Sequence, residues 1–238
     1  MTAAPGAGGA GAESPAQTPW RRPAPERVKV HEIFHSIQGE STWAGLPCVL
    51  VRLTGCQMRC TWCDTPYAFY DGTWRSLDEV LAEVETFGCP MVELTGGEPL
   101  LQPGALPLLT ALCDRGYRVL LETGGGLDIS KVDPRVHRIV DVKCPASGEA
   151  AANHWPNLGL LTPRDEVKLV VANRSDYEWA RDVIREHRLV ERCPVLVSPV
   201  HGSVAAQDLA RWLLEDGLQV RLQVQLHKLL WGAETRGV

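Results

Sequence analysis

From Val28 onward the sequence alternates short runs of branched apolar residues with longer stretches that carry apolar residues at helical spacing, and no other feature constrains the fold as tightly. The predicted strands are CVLVRLT (48–54), MVELT (91–95), RVLLET (118–123), RIVDVK (138–143), EVKLVV (166–171), PVLVSP (194–199) and LQVRLQVQL (218–226). Between them, helices are predicted over 76–88, 103–116, 175–187 and 203–217, three of which stop at a glycine. Most of the strand runs are continuous in Val, Leu and Ile, as expected of parallel strands covered on both faces. Strand after strand ends in a polar or glycine-rich tip: TGC, TGGEP, ETGGG, DVKCP, SPVHG and QLHK. In parallel barrels such tips share one rim, and ligands bind there. Six or seven strands in about 210 residues are too few for a closed eightfold barrel. The expectation is an α/β fold, a partial (incomplete) TIM-like barrel of about six parallel strands, with a doubly wound sheet as the alternative.

The boundaries follow from composition. Residues 1–27 are dominated by Ala, Gly and Pro and hold almost no large apolar side chains, so they cannot offset their own ordering entropy and are expected to form a disordered arm. The remaining residues, 28–238, are long enough for one full core and are expected to form one catalytic domain. A formal net charge of −5, with Lys and Arg spread along the chain, offers no basic face for a nucleic acid. The first twenty residues lack the charged and apolar regions of a signal peptide, and no run of about 18 apolar residues exists to span a membrane. A cytoplasmic protein with no membrane partner and with reduced thiols is expected.

Eight cysteines are present, and three of them stand in GCQMRCTWCDT, residues 55–65, with three and then two residues between Cys56, Cys60 and Cys63. A structural zinc site needs four ligands, usually from two pairs, yet only CTWC has the internal spacing. No histidine completes the set, although His31 and His35 are four apart. A redox-active Cys-x-x-Cys pair leaves Cys56 unexplained. An iron–sulfur cube suits soft thiolates, and with three protein ligands it keeps one iron open to a substrate or cofactor.

Cys56, Cys60 and Cys63 on a loop leaving a barrel strand, with Gly96-Gly97-Glu98-Pro99 after the next strand, resemble the radical S-adenosylmethionine (SAM) superfamily. The resemblance implies one [4Fe–4S] cluster held by those three cysteines. SAM would chelate the open iron, and an electron from the cluster would cleave it to give a hydrogen-abstracting 5′-deoxyadenosyl radical. It further implies a SAM site built from Trp62, Cys63, Asp64, Gly97, Glu98, Glu122, Asp141, Val142, Lys143, Ser198 and Pro199. An electron donor such as flavodoxin or ferredoxin is implied as well.

Three more features narrow the resemblance: VHEIFHSIQGESTWAG at 30–45, Asp64-Thr65 directly after the triplet, and LQVQLHKLLWG at the end. Together they resemble the radical SAM enzymes that contract the ring of 6-carboxy-5,6,7,8-tetrahydropterin to a 7-deazaguanine on the route to queuosine-type 7-deazapurines. That resemblance covers roughly residues 28 to 233. It implies a pterin site formed by Ile37, Gln38, Gly39, Glu40, Arg52, Thr95, His227 and Lys228, a Mg2+ ion held by Thr65, and a homodimer. Arg52 stands among Val and Leu, where a guanidinium fork suits the substrate carboxylate; pairing with a core carboxylate is the alternative reading. Two rival functions stay in view: a glycyl-radical activase, and a zinc- or cluster-bearing binding module without catalysis.

Overall fold

The computed structural model describes residues 26–233 and 235–238. The arm expected over residues 1–27 lies outside the described residues up to position 25, and the first strand begins at Arg27. Along the chain the elements are β1 (Arg27–Ile37), β2 (Pro47–Leu53), β3 (Thr73–Ser76), α1 (Leu77–Thr86), β4 (Met91–Gly96), α2 (Ala105–Asp114) and β5 (Arg118–Thr123). They continue with β6 (His137–Asp141), β7 (Glu166–Val171), α3 (Arg174–Glu186), β8 (Val195–Pro199), α4 (Ala206–Asp216), β9 (Arg221–Leu222) and α5 (Leu226–Trp231).

Among the described residues, nine strands form one sheet in the order β3-β1-β2-β4-β5-β6-β7-β8-β9. The six long strands β2, β4, β5, β6, β7 and β8 pair in parallel, and β9 extends them by a short parallel pairing with β8. β3 and β9 are the two edge strands and do not pair with each other, so among the described residues the sheet is open and does not close into a barrel. β1 runs antiparallel to both β2 and β3, and neither β1 nor β3 was expected from the sequence. The strand expected over 218–226 is a correction: only Arg221–Leu222 pairs, and Leu226 already opens α5.

The parallel strands turn one apolar face toward the helices. Val49, Val51 and Leu53 of β2, Val92 and Leu94 of β4, Val119 and Leu121 of β5, and Val167, Leu169 and Val171 of β7 are buried in one core cluster. That cluster includes Val80, Leu81 and Val84 of α1, Leu108, Leu109 and Leu112 of α2, and Tyr177, Ala180, Val183 and Ile184 of α3. Burying each such side chain contributes about 1.5–3 kcal/mol, so this face holds the helices on the sheet. Residues one position away face inward, and they include Arg52, Glu93, Thr95, Glu122, Asp141, Lys168 and Ser198 among apolar neighbours such as Leu50 and Val170. Alternation of period two thus sorts these strands into a greasy outer face and a charged inner one.

A half-barrel leaves that charged face uncovered on one side. The segment after β1 crosses it: Gln38 donates to Glu93 of β4, Glu40 pairs with Lys168 of β7, and the Thr42 backbone N–H donates to Glu166 Oε2 at 3.0 Å. The C-terminal segment lies against the same crossing, with Gln223 Nε2 donating to Ser41 O at 2.9 Å and Leu226 N to Gly39 O at 3.0 Å. Gly39 permits this approach, because a Cβ there would sit 2.4 Å from His227 Nδ1. Among the described residues no helix is long and apolar enough to cross a membrane.

Candidate active site

β2 delivers the chain to Gly55, whose φ of +97° turns it into the cysteine loop. The next tip grips that turn. Glu98 N donates to Gly55 O at 2.7 Å, and a Cβ on Gly97 would lie 1.9 Å from the same oxygen. A Cβ on Gly96 would lie 2.6 Å from Leu53 O. The double glycine is therefore required for the β4 tip to touch the start of the cysteine loop.

Cys56, Cys60 and Cys63 are free and half-buried, and all three open on one cavity of about 530 Å³. Burial pushes the Cys56 and Cys60 thiols up, while Lys143 pulls both back toward the thiolate. Among the described residues no three His, Cys, Asp or Glu side chains gather about a single ion position. Three soft thiolates around one opening suit an iron–sulfur cluster.

Around the thiols, Trp62, Asp64, Gly97, Glu122, Asp141, Lys143, Ser198 and Pro199 line the cavity, as their assignment to a cofactor requires. Asp141 Oδ1 and Ser198 Oγ are buried with no hydrogen-bond partner among the described residues, an expensive arrangement unless a ligand supplies one. Asp141 Oδ2 is held by Lys143 Nζ at 2.8 Å. Asp64, despite burial that opposes ionisation, is kept below the usual carboxylate range by Lys228 at 3.2 Å and by Gln225. Two residues assigned to SAM do not line the cavity. The Val142 side chain lies in the core and its N–H bonds Lys168 O. The Glu98 carboxylate is taken by Leu100 N at 3.0 Å, Thr123 Oγ1 at 2.9 Å and Gly124 N at 2.8 Å, so it ties the β4 tip to the β5 tip.

Every residue assigned to the pterin lines the same cavity: Ile37, Gln38, Gly39, Glu40, Arg52, Thr95, His227 and Lys228. Arg52 is paired with a carboxylate, Glu32, and also lines the cavity. Its Nε donates to Glu32 Oε1 at 2.7 Å and its NH1 to Gly96 O at 3.3 Å, while NH2 has no partner among the described residues. Gln38 is spent internally, since Oε1 accepts from Glu40 N at 3.0 Å and Nε2 donates to Glu93. Burial pushes the His227 imidazole down, against the pull of Glu40 and Asp64. Thr65 also faces the cavity, with Oγ1 3.8 Å from Cys63 Sγ.

Sequence reasoning passed over Glu93, Lys168, Tyr67 and Gln225, all of which line the cavity. Lys168 Nζ pairs with Glu40 Oε2 at 2.7 Å and with Glu122, and it drags Glu122 below the usual carboxylate range although burial opposes this. The available signal was the period of two: Glu93 and Lys168 interrupt Val and Leu runs on the face that carries Thr95 and Val170. The final residues, Thr235 to Val238, reach the cavity as well, and the Arg236 guanidinium stands 4.2 Å from the Tyr67 ring centroid.

An open parallel half-barrel with three free thiols at the rim of its cavity is a radical SAM fold, and the radical SAM superfamily model matches residues 50–190. The 7-carboxy-7-deazaguanine synthase of Chlorobaculum tepidum is 50% identical over 214 residues, covering 89% of this chain and 97% of that protein. The same enzyme of Koribacter versatilis is 46% identical over 226 residues, covering 89% of this chain and all of that one. The crystal structure of QueE from Escherichia coli superposes with a TM-score of 0.65 at 21% identity, over 83% of this chain and 94% of that one, a likeness of fold. The chain belongs to the 7-carboxy-7-deazaguanine synthase family of radical SAM lyases.

Proposed function

We propose that residues 28–238 form one catalytic domain that converts 6-carboxy-5,6,7,8-tetrahydropterin to 7-carboxy-7-deazaguanine with loss of ammonia. The observation that carries this reading is one cavity of about 530 Å³ onto which three free thiols and the cationic groups of Arg52 and Lys168 all open. That volume suits a small heterocycle beside a cofactor.

Cys56, Cys60 and Cys63 would hold three irons of a [4Fe–4S] cluster, and SAM would sit against Trp62 and against Asp141 and Ser198, whose Oδ1 and Oγ have no partner among the described residues and can accept hydrogen bonds. When bound, the cluster and SAM would supply radical chemistry, and the protein's task is to bind, orient and exclude water. Arg52, clamped by Glu32, offers its free NH2 to the substrate carboxylate. Thr65, at the end of the cysteine loop, offers a hydroxyl to Mg2+, a cation that keeps most of its waters and takes oxygen ligands. The 38–42 crossing and α5 cover the open side of the half-barrel, latched by Lys228 to Asp64. The Lys168 bridge fixes Glu40 and Glu122 at the floor, so neither side chain swings when substrate arrives. A flavodoxin or ferredoxin as electron donor and a homodimer complete the reading.

Anaerobic reconstitution followed by EPR tests the cofactor half. A reduced [4Fe–4S] signal that shifts on adding SAM, and that Cys60→Ala abolishes, is expected. Tightly held zinc with no such signal would overturn the assignment.

A further inference from the structure

Five side-chain carboxyl groups and three ammonium groups line the cavity; Asp64 pairs with Lys228, which leaves Glu40, Glu93, Glu122 and Asp141 beside Lys143 and Lys168. Three of these four acids are engaged. Lys168 Nζ bonds Glu40 and Glu122 and stands 3.7 Å from Asp141 Oδ2, which Lys143 Nζ reaches at 2.8 Å. Glu93 has no ion-pair partner among the described residues, and it is only 3% exposed. It sits on β4 opposite Leu50 of β2 and Leu120 of β5, so its ladder neighbours offer no polar group.

A buried carboxyl without a cation keeps its proton. Burial, followed by the charges of Glu122 and Glu40, raises Glu93 to about 8 against the opposing pull of Lys168 and the Gln38 amide. The groups facing it are Glu122 from β5, Lys168 from β7, Glu40 and Gln38 from the crossing segment, and the neutral Cys48 thiol from β2. Among the described residues its carboxyl has one hydrogen-bond partner, Gln38, whose Nε2 donates to Glu93 Oε2. A neutral carboxyl also carries one O–H donor, and Gln38 cannot accept it, since its amide oxygen is turned to Glu40 N. The donor is left for the cavity that Glu93 lines.

We propose that Glu93 is a substrate-recognising residue, a neutral carboxylic acid whose O–H donates to an acceptor atom, a carbonyl oxygen or ring nitrogen, of the bound heterocycle. The inference rests on the pterin reading above. A pterin presents both donors and acceptors, while most polar groups at this floor are acceptors or are already paired, so a donor held by shape is the missing complement.

The test uses reconstituted holoenzyme: wild type, Glu93→Gln and Glu93→Val, with KM and kcat for 6-carboxytetrahydropterin measured from pH 6 to 9.5. Wild-type KM is expected to climb above pH 8, as ionisation removes the O–H and sets an anion against an acceptor. Glu93→Gln keeps an N–H donor that never titrates, so its KM is raised about threefold at pH 7 and stays flat with pH. Glu93→Val loses the donor, and its KM rises by about tenfold or more at pH 7 with a smaller change in kcat. The SAM-induced EPR shift is the same in all three proteins. A Glu93→Val KM within about twofold of wild type, or a Glu93→Gln profile that climbs as wild type does, overturns the proposal while leaving the substrate in place. A wild-type protein that converts no pterin overturns the substrate reading, and this proposal with it.

Discussion

Arg52 shows how one side chain serves packing and recognition together. Its pair with Glu32 at 2.7 Å sits at a partly buried site, so the guanidinium is held in one orientation before any ligand arrives. Arg52→Ala is expected to raise KM for the carboxylated pterin by about 10–100-fold, the worth of a charge-assisted contact from NH2, with kcat changed less. Arg52→Lys restores only part of this, because a point charge cannot replace the fork; an unchanged KM in Arg52→Ala would remove the residue from the site. Thr65→Ala is expected to shift the Mg2+ dependence of turnover to higher concentration, by about tenfold for one lost oxygen ligand, read by titrating Mg2+ at fixed substrate. Arg52 was legible in the sequence because a charge inside an apolar strand stands out. Glu98 was legible only as part of a motif, and its carboxylate turns out to brace two strand tips through Thr123 and Gly124. The motif marked the right place, and only packing could say which atoms face the ligand.

At the level of elements, the docking of the β4 tip on the cysteine loop is the most constrained feature. Gly97→Ala would put a Cβ 1.9 Å from Gly55 O, a backbone atom that cannot yield without moving the loop. Iron bound per protein after reconstitution is expected to fall sharply, with a stability loss of about 1–3 kcal/mol from overpacking read by denaturant unfolding. Full iron loading in Gly97→Ala would contradict the docking argument. The parallel strands were readable within a residue or two, since their outer faces are unbroken Val and Leu. β1 was not, because Lys29, His31, Glu32 and His35 break its apolar pattern, and its partners β2 and β3 hold it by backbone pairing. The opposite error arose at 218–226, where Leu218, Val220, Leu222, Val224 and Leu226 alternate as a strand would. Hydrogen bonds from Gln223 to Ser41 and from Leu226 to Gly39 take that segment across the half-barrel instead. Long-range bonds of this kind leave no local trace.

Across the whole molecule, an open half-barrel trades closure for access, and the 38–42 segment with α5 covers the gap. The buried acids give the fold a pH signature. Glu93 binds a proton in the folded chain that the unfolded chain releases in the usual carboxylate range. Its contribution is therefore complete below that range and is lost as pH rises through about 8. Thermal unfolding should show Tm falling between pH 6 and pH 9, and Glu93→Gln should flatten that fall; an identical slope in both proteins would contradict the burial of a neutral acid. The central claim concerns the assembled site. Reconstituted protein, given reductant, Mg2+, 6-carboxytetrahydropterin and less SAM than substrate, is predicted to form 7-carboxy-7-deazaguanine in excess of the SAM supplied, because the abstracted hydrogen returns to the product. Product that never exceeds the SAM consumed, or no deazapurine at all, would contradict it.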